Sequence, residues 1–208
     1  MILRPSEHRL YLTLRDLIEQ ESYAPSIREL QEASNLSSRS LVQDLLKRLQ
    51  HKGYIDRPPG KARAIALRRS ELPLQGVVQA GYLTEQPNCC DRTSLDGQRY
   101  QTGDYALRVT GDSMVDAQII DGDIVVIRPQ SDLWALRPGQ IAVVWIAGEG
   151  ATLKQMFYSE GEDTIDLRPA SAYHTRRTLD REQVGLQGVM VGHHRAIEGL
   201  WMALDGRF

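Results

Sequence analysis

The sequence predicts two domains of different class: a mainly α domain that ends in a β-hairpin, followed by a mostly antiparallel β domain. Three observations predict it. The first third carries apolar residues at helical spacing in three separate runs. From Tyr105 onward, short apolar runs rich in β-branched residues follow one another with only turn residues between them. The charge divides at the same place, since residues 1–69 hold 13 Lys+Arg against 8 Asp+Glu, whereas residues 70–208 hold 12 against 19. With 208 residues, each part is long enough to build its own core.

From Ser6 to Gln20 the recurrence of Leu10, Leu14, Leu17 and Ile18 predicts one amphipathic helix. Pro25 interrupts it, and Ser26-Ile27-Arg28-Glu29 reads as a capping box opening a short helix to about Ser34. After the turn at Asn35-Leu36, a third helix starts near Ser37 or Ser38 and is expected to bury Leu41, Val42, Leu45, Leu46 and Leu49. It ends at Lys52-Gly53, where glycine can take a left-handed conformation. Tyr54–Arg57 and Ala64–Leu67 then form two strands around Pro58-Pro59-Gly60-Lys61. Three helices and a basic hairpin in this order make a winged helix-turn-helix, residues 1–69. Such a domain lays its third helix in the major groove of double-stranded DNA and its hairpin on phosphates. The residues expected to face DNA are Arg28, Ser38, Arg39, Ser40, Gln43, Asp44, Lys47 and Lys61. A basic excess supports DNA over a protein partner, because residues 39–69 hold nine Lys+Arg and only Asp44 and Asp56 as acids.

Residues 70–74, polar with a proline, are expected as a linker, and residues 75–208 as the β domain. Its strands are expected at 105–109, 124–127, 141–146, 152–158, 164–167 and 184–191. Apolar runs such as Ile141–Ala147 are far too short to span a bilayer, and the N-terminus lacks a signal-peptide core, so the expectation is a cytoplasmic protein with no membrane contact. The two cysteines, Cys89 and Cys90, are adjacent, which rules out a disulfide framework or a Cys-rich zinc site and leaves two reduced thiols. No metal or cofactor is expected.

Chemistry concentrates at Gly111-Asp112-Ser113-Met114, a small-residue turn that presents a serine beside the sheet, followed by Asp121-Gly122-Asp123 and an apolar strand. Serine needs a base within hydrogen-bond reach. His174, His193 and His194 are candidates for a Ser-His-Asp triad, but Val115 stands where a nucleophile elbow has its second glycine. A GDSL-type esterase would need a late Asp-x-x-His, which no histidine here satisfies. The third candidate is Lys154. Residues 70–208 contain eleven Arg and only this Lys, and a lysine in apolar surroundings can lose its proton where an arginine cannot. Leu153, Met156 and Phe157 are the expected surroundings. Upstream, an extended run ends in Ala80-Gly81, small residues that leave a peptide carbonyl open.

Taken together, Ala24-Pro25-Ser26-Ile27-Arg28-Glu29-Leu30, Lys52-Gly53-Tyr54-Ile55, the stretch from Pro73 to Gly81, Gly111–Met114, Asp121-Gly122-Asp123 and Thr152-Leu153-Lys154 resemble the LexA repressor family. These are self-cleaving regulators of the bacterial DNA-damage response, whose peptidase domain is shared with UmuD-type and phage repressor proteins. The resemblance covers nearly the whole chain, with 32 residues from Gly81 to Ser113 and 41 from Ser113 to Lys154. It implies that Ser113 is the nucleophile, Lys154 the general base and Ala80-Gly81 the bond cut in the protein's own chain. The amides of Asp112 and Ser113 are the oxyanion candidates. It also implies a homodimer on a pseudo-palindromic operator, with a RecA-type filament on single-stranded DNA stimulating cleavage that separates the two domains. On helix three, Ser40, Gln43, Asp44 and Lys47 depart from the pattern of the best-known members, so the operator sequence does not transfer. The alternative is a regulator of the same build that does not cleave itself or serves genes outside DNA repair. UmuD-type proteins lack a complete winged domain, and a signal-peptidase-like enzyme would need a membrane anchor.

Overall fold

The structure is a computed structural model and describes residues 3–79, 83–84, 91–159, 161, 163–197 and 200–204. The chain splits into two compact units, Met1–Ser70 with Leu95–Arg99, and Glu71–Ser94 with Tyr100–Phe208. Among the described residues no helix is long and apolar enough to cross a membrane.

The first unit is built on α1 (Pro5–Glu21), α2 (Ile27–Ser34) and α3 (Arg39–His51). Pro5 starts α1 where no amide partner is needed, and Glu7 reaches back to the Arg4 amide at 2.8 Å. The capping box of α2 is complete, with the Glu29 amide donating to Ser26 Oγ at 3.2 Å and the Ser26 amide to Glu29 Oε2 at 2.8 Å. Ser38 caps α3 by accepting from the Leu41 amide. Leu10, Tyr11 and Leu14 of α1 pack with Leu30 of α2 and Val42, Leu45, Leu46 and Leu49 of α3 as a buried core. Leu41, expected inside, is 39% exposed. At about 100° per residue it falls off the face that Val42, Leu45 and Leu49 share. Glycine at position 53 has φ +81°, which turns the chain out of α3, and β1 (Ile55–Asp56) pairs antiparallel with β2 (Ala66–Leu67) to form the wing.

The remaining strands are β3 (Arg69–Gln79), β4 (Leu83–Thr84), β5 (Arg92–Asp96), β6 (Tyr105–Thr110), β7 (Ile124–Pro129), β8 (Ile141–Ile146), β9 (Gly150–Tyr158), β10 (Thr164–Arg168), β11 (Arg177–Asp180), β12 (Val184–Ile197) and β13 (Leu200–Ala203). They form one sheet in the order β11-β10-β9-β8-β12-β13-β5-β3-β6-β7, with β4 on β3 and β7 also paired to β12. The second pairing closes β12-β13-β5-β3-β6-β7 into a ring, from which β8 to β11 extend as an arm. β3 and β6 run parallel, whereas the pairs β9–β10, β7–β12, β8–β12, β6–β7 and β8–β9 are antiparallel. Residues 70–74, expected as a linker, are strand. Leu72 is buried, and the Leu74 amide donates to the Asp91 carbonyl at 2.9 Å.

β12 serves two sheet regions because it is long and kinked, with register shifts at Gly188 and Gly192. A Cβ at Gly188 would lie 2.5 Å from the Arg128 carbonyl oxygen, and one at Gly192 would lie 2.1 Å from the Tyr100 hydroxyl. Two apolar cores flank β9. Ala151 and Leu153 join Met114, Ile119, Val125, Val143 and Met190, while Met156 joins Ala142, Val144, Ile146 and Leu167.

Candidate active site and DNA-binding face

The Ser113 turn is held from below by the acidic glycine turn that follows it. The Val109 amide donates to the Asp123 carbonyl at 2.8 Å and the Gly122 amide to the Val109 carbonyl at 2.9 Å. The Asp121 carboxylate accepts the Gly111 amide at 3.0 Å. Asp123 is buried and accepts from the Ile120 amide, His193 Nε2 at 2.7 Å and both Arg195 nitrogens at 2.8 Å. Burial opposes its charge, but Arg195 and His193 outweigh burial and hold its carboxyl at about 2. The Asp121-Gly122-Asp123 motif therefore acts as a brace that fixes the turn to β12. Met114 and Ile119 plug the core on either side of the short helical turn at Val115–Ala117, which leaves Ser113 at the surface of the sheet but only 5% exposed.

Facing it, β9 places Thr152, Lys154 and Met156 on one side by simple alternation. Lys154 Nζ lies 2.9 Å from Ser113 Oγ, 3.1 Å from Thr152 Oγ1 and 3.0 Å from the Leu153 carbonyl oxygen. An ammonium has three protons, and these three acceptors take them. Desolvation lowers the Lys154 pKa to about 8, and a neutral amine that keeps its donations to Thr152 and Leu153 has its lone pair free for the serine hydroxyl. A cleft of about 210 Å³ runs beside Lys154, floored by Ile146 and Leu167 and rimmed by Glu149, His174 and Arg177. Of the expected neighbours, Leu153 faces the opposite core, Phe157 stacks with the Arg168 guanidinium, and Met156 joins the core of Ile146 and Leu167, which line the cleft beside Lys154.

The three histidines have other partners. His174 Nε2 is 2.7 Å from Asp112 Oδ1, which keeps the Asp112 carboxyl below its usual range. His193 is on Asp123, and His194 faces the Tyr100 hydroxyl, its burial pushing it down to about 4. Thr152 and the His174–Asp112 pair escaped the sequence reading. Alternation alone could have flagged Thr152, two residues before Lys154, whereas nothing local connects positions 112 and 174. Ala80 and Gly81, with Cys89 and Cys90, lie outside the described residues.

In the first unit, Arg39, Ser40, Gln43, Asp44 and Lys47 are exposed along α3, with Ser38 at its cap and Lys61 at the hairpin tip. Lys47 is 3.7 Å from Asp44. Arg28 is held by Glu32 at 2.8 Å, so part of its charge is already answered. The exposed stripe of α3 continues past Lys47 to His51 and opens into a cleft lined by Arg4, Glu7, Lys47, Arg48, His51 and Lys52. Buried Glu7 is paired with Lys52 at 2.6 Å, which leaves this cleft strongly cationic. Arg4, Arg48, His51 and Lys52 were not named among the residues expected to face DNA. On α3 the expected face stopped at the first turns, whereas this cleft joins the last turn of α3 to the start of α1, which no local spacing connects.

Comparison with known proteins agrees with both halves. A family model described as LexA DNA binding domain matches residues 3–64, and one described as Peptidase S24-like matches residues 73–191. The chain is 33% identical over 201 residues to the LexA repressor of Thermotoga petrophila, covering 94% of this chain and 98% of that protein. It is 34% identical over 207 residues to the LexA repressor of Geobacter metallireducens, with the same coverage. With the LexA repressor of Thermotoga neapolitana it shares 34% identity over 203 residues, covering 95% of each chain.

Proposed function

The chain belongs to the LexA repressor family, and on that premise we propose that it represses transcription as a dimer on a pseudo-palindromic operator and inactivates itself by cutting its own Ala80-Gly81 bond. Coarsely, it is a DNA-binding transcriptional repressor with an S24-type peptidase domain. The reading assigns residues 1–69 to DNA and residues 75–208 to cleavage and dimerisation. It places the protein in the cytoplasm, serving a DNA-damage regulon. The observation that carries self-cleavage is the 2.9 Å approach of Lys154 Nζ to Ser113 Oγ, with desolvation bringing the lysine to about 8.

In the proposed reaction neutral Lys154 takes the Ser113 proton as Oγ attacks the Ala80 carbonyl. The resulting oxyanion is stabilised by the amides of Asp112 and Ser113. The tetrahedral adduct collapses with the Ala80-Gly81 C–N bond breaking, and Lys154 returns the proton to the Gly81 nitrogen. Lys154 then deprotonates a water that hydrolyses the ester between Ser113 and Ala80. Thr152 Oγ1 and the Leu153 carbonyl hold the amine so that its lone pair faces Oγ. The substrate is tethered, so a high effective concentration replaces a recognition pocket for foreign peptides. A RecA-type filament on single-stranded DNA acts by favouring the docked substrate. The test is incubation of the purified protein at alkaline pH with mass measurement of the fragments. The wild type is expected to split after Ala80 while Ser113→Ala and Lys154→Ala stay whole. Cleavage by either variant overturns the mechanism.

A further inference from the structure

We infer that the two fragments produced by the proposed cut stay locked together, because each fragment contributes a segment to the folded unit of the other; this rests on cleavage at Ala80-Gly81. The fragment 1–80 carries β3. That strand lies between β5 and β6 in the sheet, both of which belong to the fragment 81–208. It pairs in parallel with β6, Leu74 against Ala106, Val77 against Arg108 and Val78 against Val109. Val78 is 1% exposed and sits in the core with Leu107, Val109 and Ile127. Across its other side the Leu74 amide donates to the Asp91 carbonyl, and Arg92 Nη2 donates to the Glu71 carbonyl at 2.8 Å. An internal strand of this kind cannot leave without unpairing two ladders and opening a core.

The exchange is reciprocal. Residues Leu95–Arg99, from the other side of the cut, belong to the helical unit. Buried Asp96 accepts the Tyr11 hydroxyl at 2.8 Å and Arg69 Nε at 3.0 Å. The Gly97 amide donates to the Arg68 carbonyl at 3.0 Å, and Ser70 Oγ donates to the Gln98 carbonyl at 2.9 Å. Arg99 Nη2 is 2.6 Å from Asp56 Oδ2. Leu95 is fully buried, and Gly97 lies so close to the Tyr54 ring that an added Cβ would stand 2.9 Å from it. Cutting the chain between residues 80 and 81 breaks none of these contacts. The nicked protein is therefore a non-covalent complex, and freeing the DNA-binding half is a second event that requires β3 to be withdrawn.

The experiment nicks the full chain in two ways. Wild-type protein is cut at alkaline pH, followed by denaturing electrophoresis, and is then passed at micromolar concentration and neutral pH through a native sizing column. Independently, a site for a specific protease is inserted between Pro87 and Asn88 of the Ser113→Ala chain, which is nicked by that protease and treated alike. Co-elution of both fragments at the volume of the uncut protein is the expected result in each case, and elution as two separate fragments overturns the inference. A wild-type chain that stays whole on the denaturing gel counts against the cleavage reading, and the inserted site still decides whether the two parts interlock. Asp96→Ala is expected to leave the self-cleavage rate unchanged and to raise the dissociation constant of the nicked pair about tenfold or more, as loss of charge-assisted hydrogen bonds requires. An unchanged constant overturns the contribution of residues 95–99.

Discussion

The pH dependence of self-cleavage follows from the burial of Lys154. In the proposed mechanism the active base is the neutral amine, and desolvation stabilises it by lowering the pKa from 10.5 to about 8. At pH 7 about one molecule in eleven then carries a neutral lysine, and at pH 9 about ten in eleven do, a rise of about tenfold. With the ordinary value of 10.5, the neutral fraction at pH 7 would be about one in 3,000. The initial rate of fragment formation, measured by denaturing electrophoresis across neutral to strongly alkaline buffers, is expected to climb about tenfold per pH unit below 7 and bend near 8. Above about pH 9 it should be flat. A rate that keeps climbing at full slope through about pH 10 would show that the cleft does not desolvate the base, and would refute the reasoning. Lys154→Arg serves as the control, since a guanidinium stays charged throughout.

Thr152→Val keeps the shape of a buried side chain but removes an acceptor that orients the amine. Cleavage is expected to slow by about 10- to 100-fold with thermal stability nearly unchanged. Asp123→Ala leaves His193 and Arg195 without their carboxylate and is expected to cost about 3–5 kcal/mol in urea unfolding. The Asp123 carboxyl sits at about 2 against an ordinary 3.8, so its contribution is present above the ordinary value and fades as pH falls from about 4 to about 2; Asp123→Ala should lose this acid-dependent part. Arg48→Ala should weaken binding to specific and random duplex DNA alike and reduce the slope of log affinity against log salt by about 1. An unchanged slope would remove Arg48 from the phosphate contacts.

The sequence was legible wherever a local rule controls the outcome. The Ser26–Glu29 box and the Ser38 cap depend on three-residue spacing and appear as read. The apolar strands from β6 to β10 announce themselves by composition. What could not be read depends on distant partners. β11, at the sheet edge, and β13, between β12 and β5, are short segments defined by what they pair with, and Arg177–Asp180 has three polar residues in four. The stretch 70–74 carries a proline and the charge of Glu71, yet it is strand because Leu72 finds a core and Leu74 finds Asp91. The same holds at the site. Serine and lysine stood out as residue types, but Asp112–His174 and Asp123–His193–Arg195 join positions 62 to 72 residues apart, and no spacing rule reaches that far.

The magnitude at Lys154 also decides where regulation acts. If about one lysine in eleven is already neutral at pH 7, the proton restrains cleavage only about tenfold, or about 1.4 kcal/mol. A repressor that persists at neutral pH needs far more restraint than that, because a docked, tethered substrate reacts at a very high effective concentration. In the proposed scheme the larger restraint is therefore the docking equilibrium. A docked population of one in a thousand corresponds to about 4 kcal/mol, all of which a partner that binds the docked form can recover. The proposed filament should therefore accelerate cleavage by well over tenfold at pH 7, and by nearly the same factor at about pH 9.5, where the lysine is neutral without help. Acceleration limited to about tenfold at pH 7 and absent at the higher pH would mean that the filament works through the lysine's proton, and the docking argument would fall.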